Sequence, residues 1–242
     1  MMRGERCIVL LHGLGATGAV WGPVEALLAA RGDRSLAPDL RGHGAAPWRS
    51  SYSVGEIAAD LAPSLAGEPE LYVAGHSFGG YVALALASGW FGVQLKGVLA
   101  FGTKLSFSDI ERARAAELAR RPVRLFASRA EAVARYRKVS GLEERLAPDE
   151  ALLARGTVPD ADGFRLAADP ATLAIQVPPF GALLAAVRCP ALVARGEHDA
   201  LVSSAELRAV APDAVEVPAV GHNLHAEAPP AFIALLARLL TP

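Results

Sequence analysis

Leu71-Tyr72-Val73-Ala74-Gly75-His76-Ser77-Phe78-Gly79-Gly80-Tyr81-Val82-Ala83-Leu84-Ala85-Leu86 is the stretch that decides the fold. The apolar run Leu71–Ala74 reads as a buried strand, and Tyr81 to Leu86 reads as helix, so a tight turn must join them. Glycines two before and two after Ser77 let the backbone turn sharply without a Cβ clash. The hydroxyl is thereby left at the top of a sheet, beside a helix N-terminus. A G-x-S-x-G turn arises by chance in Gly- and Ala-rich sequence, so the chain on either side has to carry the argument.

Outward from this turn, short apolar runs alternate with helix-period segments, the pattern of a parallel sheet with crossover helices. Strands are predicted at Arg6–Leu11, Ser35–Pro38, Leu71–Ala74, Gly97–Phe101, Ala191–Arg195 and Ala214–Pro218. Helices fit at Val20–Ala30, Ser53–Leu65, Phe78–Ser88, Ser204–Ala209 and Pro230–Leu240. The fold class is α/β, and catalytic loops belong at the C-terminal ends of the strands. Between Thr103 and Val187 the alternation lapses into helical segments with no convincing strand. The expected organisation is a core of residues 1–102 and 188–242 with a helical cap, 103–187, inserted in it. Capping boxes are read at Ser53-Val54-Gly55-Glu56 and at Ser128-Arg129-Ala130-Glu131. The second opens a cap helix with Ala132, Val133, Tyr136 and Val139 on one face and Gly141 as its stop.

Three further strand ends carry chemically suited residues. Cys7–Leu11 delivers His12-Gly13-Leu14-Gly15, a loop able to aim backbone N–H groups into a pocket. Acyl transfer needs such donors, because charge grows on the carbonyl oxygen as the tetrahedral intermediate forms; one donor lowers the barrier by roughly 3 kcal/mol. The N–H groups of Leu14 and Phe78 are the expected oxyanion hole, and His12 is expected to brace its loop. Ala191–Arg195 ends in Gly196-Glu197-His198-Asp199, and Ala214–Pro218 leads to Val220-Gly221-His222-Asn223. A serine hydroxyl is a weak nucleophile, so an imidazole must take its proton and a carboxylate must fix the tautomer. Ser77 as nucleophile, Asp199 as acid and His222 as base fit these roles. His225 is the rival base and Glu197 the rival acid; the first is set aside because it falls at the last helix, the second because it lies closer to its strand.

With these residues in place the chain resembles the α/β-hydrolase superfamily over nearly its whole length. His12–Gly15, Asp39-Leu40-Arg41-Gly42-His43-Gly44, the Ser77 turn, Gly196–Asp199 and Gly221-His222 occur in that superfamily's order. The resemblance implies a loop braced by Asp39, Arg41 and His43, and a cofactor-independent serine esterase working through an acyl-enzyme on a small to medium acyl group. Two departures stand out. Only about five residues precede the first strand, so the sheet is expected to have about six strands and no N-terminal hairpin. The nucleophile is serine, not the aspartate of related dehalogenases and epoxide hydrolases. Thioesterase, lactonase, carbon–carbon hydrolase and acyltransferase activities share the triad, and a non-catalytic receptor is a further alternative.

Composition sets the outer limits. Of 242 residues 52% are hydrophobic and 20% charged, enough apolar material for one sizeable core. Lys+Arg 24 against Asp+Glu 25 leaves a net charge of −1, which argues against nucleic acid as a partner. The short apolar run after the N-terminus suits neither a signal peptide nor a membrane span, so a cytoplasmic protein with no membrane partner is expected. The expected partner is a small-molecule ester. Cys7 and Cys189 suit buried thiols better than a bridge, and no spacing of His and Cys suggests a metal, nor any fingerprint a cofactor. Between Asp109 and Arg155 lie eleven basic and eight acidic residues. Most read as solvated helix faces; Arg120-Arg121-Pro122-Val123-Arg124 is the one cluster that could attract an anion if it flanks the pocket mouth.

Overall fold

The computed structural model describes residues 6–142 and 153–240. Its framework is a six-stranded parallel sheet: β1 (Arg6–Leu11), β2 (Arg34–Leu36), β3 (Glu70–His76), β4 (Gly97–Phe101), β7 (Ala191–Gly196) and β8 (Val215–Val217). Six strands are what the sequence leads one to expect; they stand in the order β2-β1-β3-β4-β7-β8, and every pairing is parallel.

The unbroken apolar runs follow from burial of both faces. Cys7, Val9 and Leu11 of β1, with Leu71 and Val73 of β3, point into one core. That layer is covered by α2 (Val54–Leu65) and α3 (Phe78–Ala87). Ile8, Leu10, Tyr72, Ala74, Leu99 and Phe101 point the opposite way. There Trp21 and Val24, the latter from α1 (Gly22–Ala30), meet Phe232 and Leu236 of α9 (Pro229–Leu240). Strand period two, read on a sheet sandwiched between helices, leaves no polar alternation to see.

From β1 the chain steps to β2 on one side and then returns to β3 on the other. Such a reversal opens a crevice at the carboxyl ends of the two central strands. The loops after β1 and β3 therefore face each other, which is where the sequence puts His12–Gly15 and Ser77.

Between β4 and β7 lie α4 (Asp109–Ala119), α5 (Arg129–Val139), a hairpin of β5 (Thr157–Asp160) and β6 (Gly163–Leu166), a 3₁₀ turn at Pro170–Ala174, and α6 (Phe180–Ala186). The hairpin corrects the expectation of no strand in this segment. Its strands are four residues each, one carrying Pro159 and Asp160 and the other only Phe164 and Leu166 as apolar residues, too short a run for a period to mark them. Phe126 extends it by an antiparallel bridge to Phe164. Phe180 and Leu183 of α6 are buried in the sheet's own core against α3, which roots the end of the segment in the framework. Of the residues counted in the charge balance above, Glu143, Glu144, Arg145, Asp149 and Glu150 lie outside the described residues. So do 1–5 of the expected core, 143–152 of the expected cap, and 241–242.

The two capping boxes form only by half. Ser53 and Ser128 accept the N–H groups of Glu56 and Glu131, as the motif requires. Glu56, however, spends its carboxylate on Arg41 and Ser51, and Glu131 accepts from Ala127. A guanidinium is a stronger partner for a carboxylate than a neutral amide. The full reciprocal box is at Ser108 and Glu111, opening α4.

Candidate active site

β3 ends at His76 and α3 begins at Phe78, so Ser77 alone makes the turn, at φ 53° and ψ −116°. Residues with a Cβ rarely adopt this conformation, and it persists only where surrounding bonds hold it. The Ser77 N–H donates to Phe101 O at 2.9 Å, while its carbonyl accepts from Gly80 N at 3.0 Å and Thr103 Oγ1 at 3.2 Å. The flanking glycines are required by close approach. A Cβ on Gly75 would stand 2.1 Å from Gly79 O, and one on Gly79 2.4 Å from Leu11 O.

Asp199 and His222 meet as their spacing suggests. Asp199 follows β7; its Oδ2 lies 2.9 Å from His222 Nδ1, and its Oδ1 accepts the Leu201 N–H at 2.9 Å. The Asp199 side chain is fully buried, whereas that of His222 keeps 19% of its surface exposed. A carboxylate on Nδ1 assigns the proton to that nitrogen and leaves the Nε2 lone pair free. Ser77 and His222 line one cavity of about 260 Å³, with Leu14 and Phe78 on its wall. Among the described residues no hydrogen bond joins Ser77 Oγ to His222, a contact that in many hydrolytic sites tightens only around substrate. Phe78 is the first residue of α3, where an N–H has no place in the intrahelical ladder. The Leu14 N–H has no acceptor among the described residues.

Several positioning groups escaped the sequence reading. Arg195 is buried at the end of β7; its guanidinium donates to the carbonyls of Glu197 at 3.2 Å and Asp199 at 2.9 Å and pairs with Glu216. Glu227, in the short helix α8 (Leu224–Glu227), accepts the N–H groups of Gly221 at 2.6 Å and Asn223 at 2.9 Å, gripping the loop on both sides of His222. The Asn223 amide donates to Gly141 O at 2.9 Å and ties that loop to the end of α5. His76 donates through Nε2 to the main-chain oxygen of His222. All of them act on main-chain atoms that only the fold brings near, so spacing carries no sign of them.

The rivals lie elsewhere. Glu197 is exposed, and its carboxylate accepts the N–H of Ala219, which sits at φ 58° in the turn after β8. His225 is buried on α8, its ring 4.5 Å from Trp21 and 4.6 Å from His76. His12 braces its loop: Nδ1 donates to Gly13 O at 2.8 Å and Nε2 accepts the Leu40 N–H at 3.0 Å. His43 Nε2 accepts from Gly15, and Asp39 accepts from Gly18 at 2.7 Å and Ala45 at 2.8 Å. Arg41 binds Asp60 through both arms of its fork. Burial is the main cause that lowers the titration of these inner imidazoles, to about 3 for His12 and His225 and well below the usual range for His76. The imidazoles of His76 and His225 are thus neutral near pH 7. Cys7 is buried and Cys189 half-buried, both free.

A parallel sheet with crossover helices on both faces, a strained serine turn after one strand, and Asp199 and His222 meeting at the ends of two others define the class of the chain. The chain belongs to the alpha/beta hydrolase family, whose profile matches residues 8–235. Lipase LipV of Mycobacterium tuberculosis is 34% identical over 87 residues, 35% of this chain and 33% of that protein. The putative carbamate hydrolase RutD of Variovorax paradoxus is 34% identical over 84 residues, 33% of this chain and 32% of that one. These alignments span about a third of the length of the curated relatives. Over whole folds, the thioesterase domain of a curacin biosynthetic pathway superposes with a TM-score of 0.79 at 25% identity, covering 99% of this chain and 92% of that one. An esterase of M. tuberculosis superposes with 0.76 at 20% identity, covering 98% and 86%, a likeness of fold.

Proposed function

We propose that the protein is a serine hydrolase that cleaves a carboxylic ester by way of an acyl-enzyme. The observation that carries this reading is the 2.9 Å contact between His222 Nδ1 and a fully buried Asp199, on the wall of the cavity that also exposes Ser77. In this reading Ser77 Oγ attacks the ester carbonyl carbon while His222 Nε2 takes the hydroxyl proton. The carbonyl oxygen becomes an oxyanion, which the N–H groups of Leu14 and Phe78 stabilise. The intermediate collapses, the C–O bond to the alcohol breaks, and the imidazolium returns its proton to the departing alkoxide. Water then attacks the acyl-enzyme with His222 again as base, and the acid and free serine are released.

The cavity limits the substrate. At about 260 Å³ it lies at the small end of small-molecule sites, and Phe107, Ile175, Val177 and Leu201 give it an apolar wall. A short to medium acyl chain fits that volume. No helix among the described residues is long and apolar enough to cross a membrane. A thioester is the second reading, supported by the similarity to a thioesterase domain; the same attack on a carbonyl with a thiol leaving group would serve it.

The test is labelling with a fluorophosphonate, followed by a panel of p-nitrophenyl esters and thioesters of graded acyl length. Labelling at Ser77 and turnover of the short esters are expected. A folded protein that neither reacts with the probe nor turns over any acyl substrate would leave a ligand receptor as the better reading.

A further inference from the structure

Beside the cavity at Ser77 lies a second one, of about 250 Å³, and the two meet around a single side chain. Leu173, on the 3₁₀ turn Pro170–Ala174, lines both; Leu14 lines the first and the adjoining Gly15 the second. A substrate arm that leaves Ser77 past Leu14 would have to pass Leu173 to reach the second cavity. Building on the ester-hydrolase reading, we propose that this arm ends in a carboxylate, received in the second cavity by Arg124 and Arg135.

Charge distinguishes the two spaces. At the first, Lys104 pairs with Glu111 and Arg112 with Asp109, so its cations are already neutralised. At the second, Arg121 pairs with Glu117, but among the described residues no carboxylate lies within ion-pair distance of Arg124 or Arg135. The Arg124 guanidinium rests 4.8 Å above the ring of Phe126, itself part of the wall, which fixes the charge at the cavity surface. Asp169 is the one acid lining it among the described residues, and its oxygens are taken by Tyr52 Oη at 2.5 Å and Ala171 N at 2.9 Å. The net result is positive charge around a partly apolar hollow. Guanidinium groups match a carboxylate with paired N–H donors, while Leu173 and Phe126 offer apolar surface to the arm that carries it. The run of arginines after α4 supplies Arg121 and Arg124 but leaves Arg120 off the wall, while α5 adds Arg135.

The experiment compares kcat/KM for esters bearing a terminal carboxylate with their terminal carboxamide partners. One series carries the end group on the acyl side, as p-nitrophenyl esters of graded length; the other carries it on the alcohol side, followed by acid release. In at least one series the carboxylate is expected to be preferred by roughly tenfold at low ionic strength, a preference that shrinks as salt rises. The ratio should fall toward one in Arg124→Gln/Arg135→Gln, invert in Arg135→Glu, and be largely kept in Arg124→Lys/Arg135→Lys. All these positions are exposed, and a melting temperature checks the fold of each variant. No preference in either series, or one that the glutamine pair leaves untouched, overturns the proposal. Turnover of the neutral partners and probe labelling of Ser77 report separately on the ester-hydrolase reading, so the two can fail independently.

Discussion

His76 Nε2 donates a hydrogen bond to the main-chain oxygen of His222, 3.0 Å away. The residue before Ser77 thus holds the loop that carries His222, and the two rings meet edge to face with centroids 4.7 Å apart. Motion of His222 relative to Ser77 is restrained from the serine's own side. His76→Phe keeps a ring in the stack and removes the donor, leaving a buried carbonyl unpaired at a cost of about 1–3 kcal/mol. The expected outcome is a kcat lowered by roughly tenfold or more with KM little changed. A merely structural role would lower the melting temperature and leave kcat per folded molecule as it was.

Ser77→Ala should reduce ester hydrolysis by more than ~1000-fold without unfolding the protein, since it removes one oxygen from a cavity wall. Ser77→Gly adds a thermodynamic test. The native φ of 53° is strained for any residue with a Cβ, by about 1–3 kcal/mol, whereas glycine costs about 1 kcal/mol in chain entropy. The glycine variant should therefore be equally inactive and melt no lower than the alanine variant. Residual hydrolysis above a tenth of wild type in either, with contamination excluded, would remove Ser77 from the role of nucleophile.

The two acids after β7 can be separated by isosteric change. Asp199→Asn keeps the shape but presents an amide to Nδ1, favouring the wrong tautomer; turnover should fall by about 10⁴ while stability changes far less. Glu197→Gln still offers an oxygen to the Ala219 N–H and should be nearly silent in kcat/KM. The opposite ranking would mean that the wrong carboxylate orients His222.

The sequence made the sheet legible because both its faces are buried: six apolar runs, each ending at Gly, Asp or His, gave the strands to within a residue or two. The serine turn could be read because Gly75 and Gly79 are demanded by main-chain contacts closer than any Cβ allows. The hairpin at Thr157–Leu166 could not, since strands of four residues, one of them with a proline, are too short for a period to mark them. The groups that hold the loops of Asp199 and His222 were hidden for a different reason. Arg195, Glu227 and His76 bind carbonyls and amides, and the partner's side-chain identity leaves no trace at such a contact. The arginine run after α4 was visible, but Arg135 joins it only because α5 folds back beside the same cavity.

The buried imidazoles give stability a definite dependence on pH. His12 and His225 titrate near 3 in the fold, against 6.5 when exposed in the unfolded chain, and burial moves His43 and His76 in the same direction. Above about pH 6.5 both states are neutral at these positions and nothing is lost. As pH falls from there toward 3 the unfolded chain takes up protons that the folded one refuses. Each such histidine lowers stability by up to about 1.4 kcal/mol per pH unit. His225 isolates the effect, because its Nδ1 is buried with no hydrogen-bond partner among the described residues and its ring packs against Trp21 and Phe101. His225→Phe should retain hydrolysis, raise the melting temperature, and raise it more at pH 5 than at pH 8. Denaturant unfolding at several pH values would then show about one proton fewer taken up per molecule across this window. An equal gain at both pH values would mean that packing, not protonation, sets the contribution of this position.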